Sequence, residues 1–159
     1  MATVNPTREQ LDEFVRTTPD DKPIVMLNLL KFRDVADYGP GGLQGLTGRQ
    51  AYSRYSKAVM PLVFEVGGQP FFMSNVRTNV IAPHDESWDE VVLVHYPARR
   101  AFLRMVESDA YQAIMHHRTA ALADSRLFET TVVQLPRFLL RAMRGAVRVK
   151  SLLFPQIPR

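Results

Sequence analysis

Residues 23–32, with the sequence PIVMLNLLKF, are the stretch that most constrains the fold. A short run of apolar and β-branched residues is typical of a buried strand in the middle of a sheet. Side chains alternate between the two faces of a strand, which places Asn28 on the same face as Met26 and Leu30. Burying an amide there is unfavourable unless it is hydrogen-bonded. Asn28 is therefore predicted either to be satisfied within the fold or to meet a ligand.

The composition indicates one domain with its own core. The chain has 159 residues, of which 46% are hydrophobic, and this is enough to bury a sizeable core. It contains no cysteine, which excludes disulfides, thiolate metal sites and a cysteine nucleophile. No apolar run is as long as a membrane span, and the polar N-terminus is unlike a signal peptide. We therefore expect a cytoplasmic protein.

The net charge of +4 is concentrated in a basic tail, residues 136–159. The tail has six basic residues and no acidic one, whereas the rest of the chain has 14 basic and 16 acidic residues. A mildly acidic body argues against a nucleic-acid partner. Four of the arginines have the spacing of one stripe on an amphipathic helix: Arg137, Arg141, Arg144 and Arg148. Three interpretations of the tail stay open: contact with another subunit, peripheral contact with a membrane or acidic partner, or disorder.

Apolar periodicity and turn residues predict a short N-terminal helix capped by Thr7, followed by strand, helix, strand, strand, helix, strand. Thr47 and Gln50 form a capping box at the first long helix, and Pro61 predicts a kink or a second segment in it. The second long helix is predicted to begin after Ser108. The predicted strands are 23–32, 70–81, 88–96 and 126–135. This order is the split β-α-β pattern of α+β ferredoxin-like domains with an antiparallel sheet.

The two long helices of such a domain cover only one face of the sheet. The most economical cover for the second face is the same face of another copy, which predicts a homodimer with the two sheets facing each other. The expected organisation is an N-terminal helix and lead-in over 1–22, the ferredoxin-like domain over 23–135, and a helical tail over 136–159. Residues 33–47 form a long glycine-rich connection, for which a plain flexible loop and a ligand-covering lid are both open interpretations.

The motif Asn28-Leu-Leu-Lys-Phe resembles the family called domain of unknown function 1330, in the dimeric α/β-barrel superfamily. The other matching motifs occur in the family's order: Tyr52-x-x-Tyr55, Gly67-Gly68, Trp88-Asp-Glu-Val-Val-Leu-Val, and Ser108-Asp-Ala-Tyr111 with Arg118. The resemblance covers about residues 22–135 and implies the same fold and a dimer, but no assigned activity. Some members of the wider superfamily are cofactor-independent monooxygenases, haem-degrading enzymes or small-ring isomerases. The N-terminal helix, the long loop and the tail depart from the family pattern.

Polar side chains on the predicted strands are the first candidates for chemistry. We predict catalytic roles for Asn28, which could hold an oxygen or an amide, and for His95, which could move a proton near neutral pH. Arg77 is predicted to bind a carboxylate of a ligand. Periodicity does not say which sheet face is open, so the convergence of these three residues is a hypothesis. Structural roles for Asn28 and His95 remain open.

Tyr111 and Arg118 lie seven residues apart on one predicted helix and therefore share a face. We predict that both bind a ligand, supplying a hydroxyl and a cation at one end of a pocket. The alternative is a packed tyrosine and an arginine paired with an acid. Tyr52 and Tyr55 are predicted to belong to the core. No residue pattern indicates a metal site, and the cofactor, if any, is unknown.

Two functions follow from these patterns. The first is a homodimeric small-molecule-binding protein or enzyme with a pocket between the sheet faces, such as a cofactor-independent oxygenase or isomerase. The second is a non-catalytic oligomerisation or interaction module that works through the basic tail. The sequence specifies neither the ligand nor whether the protein is catalytic.

Overall fold

The structure is a computed structural model that describes residues 3–16 and 21–131. Its elements, in chain order, are α1 (Arg8–Arg16), β1 (Ile24–Phe32), α2 (Gly48–Glu65), β2 (Gln69–Asn75), β3 (Glu90–Tyr96), α3 (Arg99–Val106), α4 (Asp109–Ala121) and β4 (Leu122–Thr130). The predicted tail over 136–159 lies outside the described residues. Within the described residues, no helix has both the length and the apolarity needed to cross a bilayer.

The four strands form one antiparallel sheet in the order β2-β3-β1-β4. With helices α2 and α4 in the two crossovers, this is the ferredoxin-like βαββαβ topology, as the sequence predicted. Strands β1 and β3 lie at the centre. The N-terminal helix is also confirmed, and it begins with a capping box in which Thr7 Oγ1 accepts from Gln10 N at 3.2 Å and Gln10 Oε1 accepts from Thr7 N at 2.9 Å.

The core lies between the sheet and helices α2, α3 and α4. Ile24, Met26 and Leu30 of β1 are buried there together with Tyr55 of α2 and Met105 of α3. We call this side the helix-covered face. Residues of opposite parity on the central strands lie on the second face, where four apolar side chains remain half-exposed: Leu27, Leu29, Val91 and Leu93. We call this side the open face.

The strands whose boundaries differ most from the prediction are β2 and β4. Strand β2 was predicted to reach residue 81 but ends at Asn75, and its register shifts by one residue between Pro70 and Phe72. Strand β4 was predicted to begin at residue 126 but begins at Leu122, directly after α4. Leu122 is fully buried and pairs with Phe32 of β1, so tertiary packing outweighs the weak strand propensity of the polar sequence that follows it. Residues 132–135 of the predicted strand lie outside the described residues.

Helix α2 runs through Pro61 as one helix of 18 residues, so the predicted second segment is not formed. Its capping box, Thr47 with Gln50, is confirmed. The helix begins at Gly48, where an added Cβ would lie 2.4 Å from the carbonyl oxygens of Arg33 and Ala121. Only glycine fits at this junction, which fixes the start of α2 against the end of α4.

The long connection over residues 33–47 lies against α4. The backbone N–H groups of Arg33 and Asp37 donate to the carbonyls of Ala121 and Ala120, each at 2.9 Å. Ala36 is buried and closes the loop by donating to the carbonyl of Leu46 at 2.8 Å. The loop therefore has a defined path over the C-terminal half of α4.

Candidate functional site

Asn28 lies on the helix-covered face at the centre of β1. Its Nδ2 donates to the carbonyl oxygens of Val92 at 3.3 Å and Met26 at 3.4 Å, while its Oδ1 has no hydrogen-bond partner among the described residues. Its neighbour on β4 is Leu127, which lies on the same face yet is 45% exposed. The helices therefore leave a gap over Asn28 and Leu127. We call this gap the β4 opening.

A buried cation lies beside the β4 opening. Arg118 of α4 is only 7% exposed, and it donates to the carbonyl oxygen of Val4 at 2.7 Å and to Ser125 Oγ at 3.1 Å. Ser125 precedes Leu127 by two residues on the same strand face, a separation of about 7 Å. The structure forms three ion pairs among the described residues, and Arg118 belongs to none of them. The predicted alternative, an arginine paired with an acid, is wrong for the described part of the chain.

Three tyrosines lie in the layer between the sheet and the helices. Tyr55 OH donates to Tyr111 OH at 3.2 Å, and the Tyr52 ring packs against the Tyr55 ring with centroids 5.5 Å apart. Burial raises the pKa values of Tyr52 and Tyr55, and the nearby charge of Arg118 opposes this shift without cancelling it. The two phenols are therefore neutral hydrogen-bond donors near neutral pH. The prediction that Tyr52 and Tyr55 pack in the core agrees with this placement.

The N-terminal residues 3–16, which we call the strap, are fixed on either side of the β4 opening. At one end Val4 accepts from Arg118 and from Ser125 Oγ. At the other end the carbonyl oxygen of Phe14 accepts from Arg99 at 2.6 Å, and Arg99 forms an ion pair with Glu129. Ser125 and Glu129 flank Leu127 on one face of β4, so the strap borders the opening.

The other predicted site residues lie elsewhere. His95 is on the open face, between Val25 of β1 and Gln69 of β2, and thus on the opposite side of the sheet from Asn28. Arg77 follows the end of β2 in an exposed loop, where the predicted strand has already ended. The hypothesis that Asn28, Arg77 and His95 line one cavity is therefore wrong. Asn28, Tyr111 and Arg118 do belong to the same layer of the protein.

A separate cavity of about 520 Å³ lies between the 33–47 loop and α4. We call it the loop cavity. Its lining residues are Asp37, Tyr38, Gly41, Gly42, Leu43, His116, Thr119 and Ala120. Behind this lining, the Tyr38 hydroxyl and His117 Nδ1 are 2.8 Å apart. Burial raises the pKa of Tyr38 and lowers the pKa of His117, so both side chains are neutral near pH 7.

The residues of the β4 opening do not suit a metal ion. The described residues contain no group of three or more His, Asp or Glu side chains that could hold one. An amide, phenols and a guanidinium donate and accept hydrogen bonds, and none of them is a strong ligand for a transition metal. This set of residues favours an organic ligand with an oxygen group.

The fold and this site define a ferredoxin-like domain with a cation, an amide and neutral phenols between its helices and its sheet. The chain belongs to the family described as Domain of unknown function (DUF1330), whose model matches residues 44–131. The matched range includes the three tyrosines of the site, Arg118, and the β4 residues Ser125 and Leu127, while Asn28 precedes it.

Among solved structures, the chain is similar to RPA0582, a protein of unknown function from Rhodopseudomonas palustris. The identity is 31% and the TM-score 0.78, covering 85% of this chain and all of that one. The methylated RPA0582 protein is 33% identical with a TM-score of 0.78, covering 84% of this chain and 96% of that one. A dimeric protein of unknown function and ferredoxin-like fold from Bacteroides fragilis is 9% identical with a TM-score of 0.47, covering 72% of this chain and all of that one. No curated protein matches the chain.

Proposed function

We propose that this protein binds a small, largely apolar molecule carrying a carboxylate or another oxyanion, and that it does so in the β4 opening. The observation that carries the proposal is Arg118, a cation that is 7% exposed and forms no ion pair with a described residue. Buried charges in proteins are normally paired or coordinated, because removing one from water has a penalty of several kcal/mol. Two neutral acceptors, Val4 O and Ser125 Oγ, offset only part of that penalty.

The guanidinium of Arg118 has donors to spare for a ligand. Arginine has five N–H donors in a planar fork that suits a carboxylate, and two of them are used by Val4 and Ser125. An anion bound by the remaining N–H groups of Arg118 would lie near Ser125, with Leu127 about 7 Å away on the same strand face to receive the ligand's apolar body. Its charge would then complement Arg118 where little water screens the interaction.

The remaining contacts suit a ligand with an apolar body. Leu127 offers an exposed apolar surface at the base of the opening, and Asn28 next to it offers a carbonyl oxygen without a partner among the described residues. The Tyr52 hydroxyl also has no partner in the described part of the chain, and burial keeps it neutral. Hydrogen bonds from Tyr52 and to Asn28 would orient polar groups of the ligand.

Binding is the function that this geometry supports best, since the described carboxylates near the site, Glu90 and Glu129, are already held in ion pairs. Neutral donors around one oxygen are suited to stabilising an enolate, an intermediate expected of an isomerase or of a cofactor-independent oxygenase. His95, the predicted proton carrier, lies across the sheet from Asn28. The carboxylate of Glu90 is already paired with Arg49 at 3.1 Å, and that of Glu129, beside Leu127, is paired with Arg99. Turnover would therefore require a base supplied by the ligand or by residues outside those described.

We also propose that the active form is a homodimer joined through the open faces of two sheets. Two aromatic residues of that face, Phe72 and Phe128, are 47% and 50% exposed, and the half-buried Leu27, Leu29, Val91 and Leu93 lie between them. An apolar surface on both central strands and both outer strands is typical of a subunit interface. The dimer would leave the β4 opening accessible, because that opening is on the other side of the sheet.

The binding proposal is tested by comparing cinnamate with its uncharged amide, cinnamamide, by isothermal titration calorimetry. We expect cinnamate to bind at least about tenfold more tightly to the natural protein. Arg118→Gln should abolish this preference, whereas Ser125→Ala should keep it, because it removes one hydrogen bond of Arg118 and leaves the cation. Equal affinities of the two probes for the natural protein, or an undiminished preference in Arg118→Gln, would contradict the proposal.

The alternative function, an interaction module that works through the basic tail, concerns residues outside those described and stays a prediction. Deletion of residues 137–159 tests it. Loss of an oligomer larger than a dimer, or of binding to anionic vesicles, with unchanged cinnamate affinity would assign the tail a role of its own. Unchanged oligomerisation and vesicle binding would exclude it.

A further inference from the structure

We propose that the loop cavity is a second binding site, selective for a small ligand with a protonated amine on a flat or short apolar body. The site is distinct from the β4 opening and does not depend on the function proposed for it. It has a defined shape, because the 33–47 loop is hydrogen-bonded to the end of α4 through Arg33 and Asp37. A volume of about 520 Å³ is within the usual range for small-molecule sites.

The charge of the cavity wall favours a cation. Asp37 supplies a carboxylate to the lining, and none of the described lining residues is a lysine or an arginine. Asp37 Oδ1 accepts from the N–H of Gly39 at 3.1 Å, and Oδ2 has no hydrogen-bond partner among the described residues. The carboxylate is thus held in place by one oxygen and offers the other to a ligand. An ammonium group is the natural partner of such an oxygen.

The aromatic lining adds to the same preference. Tyr38 and His116 have ring centroids 6.1 Å apart in an edge-to-face arrangement, and Leu43 lies in the same lining. The face of a tyrosine ring attracts a cation, and an apolar body of a ligand would pack against these rings and Leu43. The hydroxyl of Tyr38 faces His117 instead of the cavity, which fixes the ring.

The nearby basic residue Arg54 does not line the cavity. The charge of Arg54 lowers the pKa values of Tyr38 and His117. Burial has the larger effect on each of them: it raises the pKa of Tyr38 and lowers the pKa of His117. Tyr38 and His117 are neutral near pH 7, so neither of these two side chains cancels the negative charge of Asp37. Thr119 completes the polar side with a hydroxyl that accepts from Asn5 at 3.4 Å.

The tight turn over Tyr38 makes the cavity sensitive to a single methyl group. A Cβ on Gly42 would lie 2.5 Å from Tyr38 Cβ and 2.6 Å from its carbonyl oxygen, so Gly42→Ala must displace the loop or the ring. A Cβ on Gly41 would meet nothing within 4 Å, although its φ of +78° disfavours alanine. Comparing Gly42→Ala with Gly41→Ala therefore distinguishes the effect of a changed cavity shape from the effect of a generally less stable loop.

The test uses benzylamine, with benzyl alcohol and benzoate as uncharged and anionic controls, followed by chemical shifts of backbone amides in the full chain. We expect benzylamine to shift the amides of residues 37–43 and 116–120 and to bind about tenfold more tightly than benzyl alcohol. Benzoate should leave those amides unchanged. In Asp37→Asn the preference for the amine should disappear, whereas Asp34→Asn, an exposed acid outside the lining, should keep it.

Gly42→Ala should weaken benzylamine binding more than Gly41→Ala does. Binding of benzylamine no tighter than that of benzyl alcohol, shifts confined to other residues, or an undiminished preference in Asp37→Asn would each overturn the proposal. A failure here leaves the β4 opening untouched, because that proposal concerns an anion at Arg118.

Discussion

Replacing Gly48 with alanine tests the packing that joins the loop, α2 and α4. The added Cβ would lie 2.4 Å from the carbonyl oxygens of Arg33 and Ala121 and 2.7 Å from Arg33 N. These are backbone atoms, so the clash cannot be relieved by rotating a side chain. Helix α2 must move away from α4 by about 1 Å to restore ordinary contact distances.

The substitution lowers the unfolding free energy in two ways, through overpacking and through lengthened hydrogen bonds. Overpacking of a tight site typically has a penalty of about 1–3 kcal/mol. The hydrogen bonds Gly48 N to Arg33 O, at 3.0 Å, and Arg33 N to Ala121 O, at 2.9 Å, would lengthen, and each contributes about 0.5–1.5 kcal/mol. Alanine recovers at most about 1 kcal/mol of helix propensity. The expected loss is therefore about 3 kcal/mol of unfolding free energy, or a fall in Tm of roughly 6–12 °C.

Urea unfolding of the natural protein, Gly48→Ala and Gly41→Ala measures this loss. Gly41 has a positive φ and open space around its Cβ position, so its alanine variant should lose only about 1 kcal/mol. If Gly48→Ala were no less stable than Gly41→Ala, the close approach of the loop, α2 and α4 at this junction would be wrong.

Three further variants test other parts of the structure. Leu93→Asp places a charge on the open face and should turn the proposed dimer into a monomer in light scattering, and a persistent dimer would exclude the open face as the interface. Tyr55→Phe removes the donor to Tyr111 and should lower the unfolding free energy by about 1 kcal/mol, and an unchanged urea midpoint would refute that bond. Burial alone would raise the pKa of Asp124, but the hydrogen bonds that its carboxylate accepts, first from Thr3 N, outweigh burial and lower that pKa. Ionised Asp124 therefore stabilises the fold at pH values above its pKa in the unfolded chain, and this stabilisation is lost as the pH falls through its lower pKa in the folded protein. Asp124→Asn should therefore flatten the loss of stability in acid, and an unchanged acid limb would contradict this.

The pattern of apolar and turn residues was sufficient to predict the topology. Thr7, Thr47 and Ser108 were each predicted to cap a helix, and each accepts a backbone hydrogen bond at the start of one. The start of β4 was missed because residues 123–126 are mostly polar and lack β-branched side chains. Pairing with β1 and burial of Leu122 override local propensity, and neither is visible in a local window of sequence.

The site was predictable in part. Alternation placed Asn28 on one strand face and the seven-residue spacing placed Tyr111 and Arg118 on one helix face. The sequence pattern could not show that His95 lies on the opposite side of the sheet from Asn28, because the relative register of β1 and β3 depends on pairing between distant segments. Nor could it show that Arg118 binds Val4 and Ser125 in place of an acid. The strap that supplies Val4 has no local signal for the residues it contacts.

The most direct test of the binding site is a crystal structure of the protein with cinnamate. The account predicts the carboxylate within hydrogen-bonding distance of Arg118, about 2.7–2.9 Å, and the ring over Leu127 next to Asn28. A carboxylate bound elsewhere, with the β4 opening filled only by water, would contradict the central claim.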